Sequence, residues 1–167
     1  SGGQFRFQRC QALVGLLFAS FSPSFSQNWQ IEIKDNLAKM QMEQVYRITP
    51  DSLIITGKAD YGRTNVNYLL RKLSEKEVAT VKDILKKFPA DSLKEVYFND
   101  YSNFKQIDEE NYPRSIDVKI NKDGKTYISK ATNAWVELYV RLFDAVNPMF
   151  PAEVRVVLDK SKFNVFY

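Results

Sequence analysis

Residues 97–114 carry the side chains best suited to chemistry. Tyr97, Phe98, Tyr101, Phe104 and Tyr112 stand among Asn99, Asp100, Asn103 and Asn111, and Asp108, Glu109 and Glu110 follow one another. Flat rings interleaved with amides and carboxylates can stack on a sugar or hold a peptide. The stretch exceeds an ordinary hairpin loop, and long connections without regular structure are commonly functional. The expected binding surface is therefore Tyr97, Tyr101, Phe104, Asp108, Glu109, Glu110 and Tyr112. The plainer expectation is that Tyr97 and Phe98 finish a strand and the other rings fold back onto the core.

Two carboxylates about 5–9 Å apart can hydrolyse a glycosidic bond. The alternative expectation is thus a carboxylate-dependent hydrolase of envelope polysaccharide, using two of Asp100, Asp108, Glu109, Glu110 and Asp117. Adjacent acids in a loop are more often solvated. Calcium, which takes hard oxygen ligands, suits Asp108, Glu109 and Glu110 slightly better than catalysis does, whereas Asn121–Gly124 lacks the alternating acids and closing Glu of a calcium loop. Asp123-Gly124 is explained by a turn. Composition removes further chemistry. The chain has no His and a single Cys. It therefore has no Ser-His-Asp triad, no imidazole acid or base, no intrachain disulfide and no Cys-rich zinc site. No glycine-rich phosphate loop is present. No catalytic residue is assigned, no metal or cofactor is expected, and a binding or structural role ranks ahead of an enzyme.

The 24 Lys+Arg and 20 Asp+Glu are mixed along the chain, with a net charge of +4. With no basic stripe and no nucleic-acid motif, no nucleic-acid partner is expected. At 44% apolar and 14% aromatic residues, the chain can build a packed core.

The amino end has the layout of a secretory leader. Arg6 and Arg9 precede the apolar run Ala12–Phe21, and Ser24 and Ser26 occupy the −3 and −1 positions before Gln27. Residues 1–26 are expected to be a signal peptide and 27–167 a single α+β domain. The run of about ten residues is too short for a bilayer core that needs about 20, so no transmembrane span is expected in the mature chain. Cys10 precedes the apolar run, which excludes a lipobox. Removing the leader takes Cys10 and two arginines, leaving a cysteine-free chain with a net charge of +2.

The elements that must position the aromatic stretch follow from periodicity. Trp29, Ile31 and Ile33 alternate with polar residues and predict a strand. Gln44–Ile48 and Ser52–Gly57 predict a hairpin around Thr49-Pro50-Asp51. Asn65–Arg71 predicts another strand, with Val66, Tyr68 and Leu70 on one face. Ser74 and Glu77 form a capping box, flanked by Leu73 and Val78 at staple positions. Val78, Val81, Leu85 and Phe88 continue that helix until Pro89. Leu93–Phe98 predicts a strand. Ser115–Ile120 and Lys125–Ser129 predict a hairpin around Asp123-Gly124. Asn133 is the expected cap of a second helix, with Trp135, Leu138, Leu142 and Ala145 as its main stripe and Val136, Tyr139 and Phe143 broadening it. Asn147-Pro148 ends it. Phe163–Tyr167 predicts an edge strand or a docking tail. The fold class is α+β: an antiparallel sheet built from hairpins, with two main helices packed on one face.

The leader ending in Ser26-Gln27, YRITPDSLIITG at 46–57, LSEKE at 73–77, and the DGKTYIS hairpin before a helix closing in VNPMFP together resemble small exported proteins of unknown function from Bacteroidota-type Gram-negative bacteria. The resemblance implies a periplasmic or cell-surface α+β domain and carries no functional residue across. The expected function is an exported, non-enzymatic binding or structural domain of the cell envelope, with a protein, peptide or glycan as partner.

Overall fold

The computed structural model describes residues 28–37, 41–59, 63–98, 114–163 and 166–167. Among these residues seven strands form one sheet: β1 (Gln30–Leu37), β2 (Met42–Ile48), β3 (Ser52–Ala59), β4 (Thr64–Lys72), β5 (Val96–Phe98), β6 (Arg114–Lys122) and β7 (Lys125–Thr132). Their spatial order is β4-β3-β2-β1-β6-β7-β5. Five of the neighbouring pairs are antiparallel, and β5 runs parallel to β7. With helices α1 (Glu75–Lys87) and α2 (Glu137–Val146), the fold is α+β. The hairpin-built pairs are antiparallel as expected, and the parallel β5 is the exception among the described strands. β5 is joined to its neighbour by no hairpin, so no local turn dictates its direction.

Alternation divides the sheet into two faces. Ile31 and Ile33 of β1, Ile48 of β2, Leu53 and Ile55 of β3, and Val118 and Ile120 of β6 are buried. Their neighbours Glu32, Lys34, Arg47 and Lys119 lie on the opposite face, where Arg47 meets Glu32 and Lys34 meets Glu43, each at 2.7 Å. We call this the open face. Both helices cover the apolar face. Val81 and Leu85 of α1 and Tyr139, Leu142, Phe143 and Val146 of α2 join one cluster with the strand residues. The chain after α2 completes the layer, with Phe150 stacked on Tyr46 at 5.0 Å. Asn147 clasps the backbone of Val156 through both ends of its amide.

Turn chemistry accounts for the hairpins. Asp123 and Gly124 both take positive φ, 52° and 73°, as a type I′ turn requires. In the β2–β3 turn the Thr49 hydroxyl accepts the Ser52 amide at 3.1 Å. Lys122, just before the β6–β7 turn, donates to the carbonyls of Leu85 and Phe88 at the end of α1, satisfying groups a helix terminus leaves open.

Two expectations are corrected. Asn133 does not cap α2, whose cap position is Val136 with no side-chain hydrogen bond. Asn133 instead takes a left-handed φ of 52°, and its carbonyl oxygen accepts the amide of Arg114 at 3.0 Å. Trp135 precedes the helix, and Tyr139 and Phe143, expected to broaden the stripe, are as fully buried as Leu142 of the expected main stripe and Val146. In β4 the alternation is as expected, but Tyr68 and Leu70 point to the open face, opposite Thr56 and Ile54. Leu69 packs on the core. Arg71, on that same side of β4 by alternation, reaches Glu77 and the carbonyl of Met149.

The capping box of α1 is fully formed. The Ser74 hydroxyl accepts the Glu77 amide at 3.3 Å, and the Glu77 carboxylate accepts the Ser74 amide at 2.8 Å. Arg71 then grips the same carboxylate with two nitrogens, at 2.6 and 3.0 Å. Arg71 and the Ser74 amide hold the Glu77 carboxyl at about 2, below its ordinary 4.5. A depressed carboxyl stabilises the fold fully above its unfolded value and loses that contribution as pH falls through the folded value. Glu77→Gln is expected to cost about 1 kcal/mol at neutral pH, the usual size of a cap. The difference from wild type should shrink below pH 4.5 and vanish near pH 2. Urea denaturation of both proteins across that range checks this; a gap independent of pH contradicts it.

Candidate functional site

Two ends of the aromatic stretch are described, and both are firmly anchored. Tyr97 in β5 pairs with Ala131 of β7 and is 3% exposed. Its hydroxyl accepts the Lys94 amide at 3.0 Å, and its ring meets Tyr139 edge-on at 5.9 Å. Tyr139 donates to the Ser129 hydroxyl at 2.8 Å, and Ser129 donates to the Lys94 carbonyl at 2.6 Å. Every polar group of this buried chain is thus satisfied. Burial pushes the Tyr139 hydroxyl far above its ordinary titration range. The arrangement fixes β5 in place and presents no acid or base to solvent. At the other end, Arg114 opens β6 and grips the buried Asp35 with two nitrogens, at 2.7 and 2.9 Å.

Of the residues expected from sequence, Tyr97 is therefore a core side chain. Tyr101, Phe104, Asp108, Glu109, Glu110 and Tyr112 lie outside the described residues, as does Asp100. Asp117 is on the open face, opposite Lys34 of β1 and Lys130 of β7 in the register. That is a ladder of alternating charges, not a pair of carboxylates. Residues 1–26, read as a leader, also lie outside the described residues.

The surface that does assemble lies around β5. Phe98, one residue beyond Tyr97, faces the other way and is 55% exposed. Val96 and Ile128 are exposed on the open face beside it. The end of the chain returns to the same edge. Phe166 forms a parallel bridge with Trp135; the Tyr167 amide donates to the Trp135 carbonyl, and the Glu137 amide to the Tyr167 carbonyl, each at 2.9 Å. The Tyr167 hydroxyl donates to the Phe98 carbonyl at 3.2 Å. Phe166 and Tyr167 nevertheless remain 50% and 44% exposed.

Lysines sit over these rings. The Lys160 ammonium lies 4.6 Å from the Trp135 ring centre and 5.3 Å from that of Phe166. Lys94 lies 5.1 Å from the Tyr167 centre and 5.9 Å from that of Tyr97. Each contact places a cation on the electron-rich face of a ring. The result is a ridge of apolar edges studded with positive charge. Sequence reasoning reached Tyr97 and treated Phe163–Tyr167 as a docking tail, but it missed Lys94, Trp135 and Lys160. Their partners are distant in sequence, so no local spacing announces them.

Elsewhere, a shallow open depression is lined by Pro50, Leu73, Glu75, Val78, Ala79 and Lys82. It gathers one acid and one base among apolar groups and no reactive set. Among the described residues no cluster of three or more Cys, Asp or Glu could hold a metal ion, and no helix is long and apolar enough to cross a membrane. Comparison with protein-family models, curated proteins and solved structures found no match to the chain.

Proposed function

We propose that the chain is an exported, non-enzymatic binding domain of the cell envelope, and that the lysine-studded aromatic ridge around β5 docks a protein partner. The observation that carries this reading is the exposure of Phe98, Phe166 and Tyr167 on a backbone held by hydrogen bonds from both sides. Exposed rings on a rigid edge are the usual anchors of an interface, because little freedom is lost when they are covered. A protein fits better than a glycan. Sugars stack on open ring faces, and here Lys94 and Lys160 occupy the faces of Tyr167 and Trp135. The leader-like residues 1–26 support export to the envelope.

The test compares wild type with a Phe98→Ser/Phe166→Ser variant. Both positions are half exposed, so the fold and melting temperature should persist. Immobilised wild type should capture from envelope extract a protein that the variant captures at least about tenfold less, since two truncated anchors remove about 1.4 kcal/mol or more. Identical capture profiles would remove the ridge from the function.

A further inference from the structure

The opposite edge of the sheet carries a second surface, independent of the ridge. Among the described residues β4 is the terminal strand there, and β3 is its one partner. Thr49 donates its amide to the Ser52 carbonyl across the β2–β3 turn. In an antiparallel ladder, alternate residues direct their backbone groups to opposite sides. Ser52, Ile54 and Thr56 therefore turn their backbone groups toward β2. Their partners Lys72, Leu70 and Tyr68 turn theirs outward, away from the sheet.

This edge lacks most of the devices that blunt a free strand. β4 is nine residues long, contains no Pro, and shifts register only near its far end, at Gly57/Lys58. Tyr68 is 69% exposed and Leu70 55%, two apolar side chains on one face beside open backbone groups. By contrast β5, at the other edge, spans three residues.

The charges decide what fits. β4 contains no acid. Arg71 is taken by Glu77, while Lys72 at one end and Arg63 and Lys58 at the other have no ion-pair partner among the described residues. A second copy pairing antiparallel about Tyr68 would set its Lys72 opposite Thr64, next to Arg63, so like charges oppose self-pairing. An acidic strand meets the same cations with opposite charge.

We propose that β4 is a docking edge for an extended acidic segment of another protein. The segment adds as a further strand, with apolar residues over Tyr68 and Leu70 and carboxylates near Lys58, Arg63 and Lys72. Main-chain hydrogen bonds supply affinity in this mode, and alternate side chains supply specificity.

The probe is a fluorescent peptide matching β4 in length, with Val at the central positions that face Tyr68 and Leu70 and Glu toward both ends, and its counterpart with Lys in place of Glu is the control. Anisotropy with the full chain at low salt should show the Glu peptide binding about tenfold tighter or more, with affinity falling as salt is added. Hydrogen exchange should slow at the Tyr68, Leu70 and Lys72 amides. Leu70→Pro removes one outward donor, a change that edge strands tolerate, and should abolish binding. Should that variant fail to fold, the surface pair Arg63→Glu/Lys72→Glu should invert the preference between peptides. Equal affinity for both peptides, no binding at about 1 mM, or protection confined to β5 would overturn the proposal. Concentration-dependent self-association protecting the same amides would overturn it in favour of a second copy.

Discussion

Arg114→Met is expected to destabilise the fold by about 3–5 kcal/mol, the usual cost of leaving one charge of a buried pair without its partner. The Arg114 side chain is largely buried with Asp35, and three of its nitrogens are engaged: two by the Asp35 carboxylate and one by the Val157 carbonyl at 2.8 Å. Its backbone exchanges two further hydrogen bonds with Asn133. The single substitution therefore strands a carboxylate between β1 and β6 and frees the segment around Val157. The double variant Arg114→Met/Asp35→Leu should recover most of the loss, because it also removes the desolvated charge. Urea denaturation of the three proteins separates these contributions. A loss below about 1 kcal/mol for Arg114→Met would mean that water reaches the pair.

Tyr97→Ala is expected to cost about 3 kcal/mol or more, while Phe98→Ala stays within about 0.5 kcal/mol. The two residues are adjacent but face opposite ways. Tyr97 fills the core, touches Tyr139 and Tyr167, and accepts the Lys94 amide. Its removal leaves a cavity and an unsatisfied amide. Phe98 offers its ring to solvent. On the proposed function, Phe98→Ala weakens partner capture without moving the denaturation midpoint. Tyr97→Ala shifts the midpoint first. Chemical denaturation and capture measured side by side test both statements. Equal stability losses at the two positions would contradict the orientation of β5.

The parts of this fold that were legible in the sequence are those fixed within a few residues. Ser74 and Glu77 stand one helical turn apart, and Asp123-Gly124 satisfies its turn by backbone conformation alone. The parts that were not legible depend on distant partners. Asn133 has the residue type of a helix cap, but Arg114, nineteen residues away, takes its side chain. In β4, alternation showed which residues share a face, not which face is buried. Arg71 turns inward because Glu77 and the Met149 carbonyl receive it, and that sends Tyr68 and Leu70 outward. At the candidate site, Tyr97 was visible as an aromatic in an unusual stretch. The lysines over Tyr167 and Trp135 were not, because a cation–ring contact leaves no spacing to read.

The central place of β1 also has a consequence in time. β1 is the first of the described strands, yet it pairs on one side with β2, the next of them, and on the other with β6, where Ile33 meets Val118. The meander β1–β4 can zip from local turns before the rest of the chain is available. The second flank of β1 stays vacant until β6 is synthesised. Nascent chains therefore pass through a stage that displays two bare strand edges, and long-range pairing of this kind is the slow step of folding. Interrupting synthesis before residue 114 should yield a species that aggregates or recruits chaperones, whereas chains that reach β7 escape that fate.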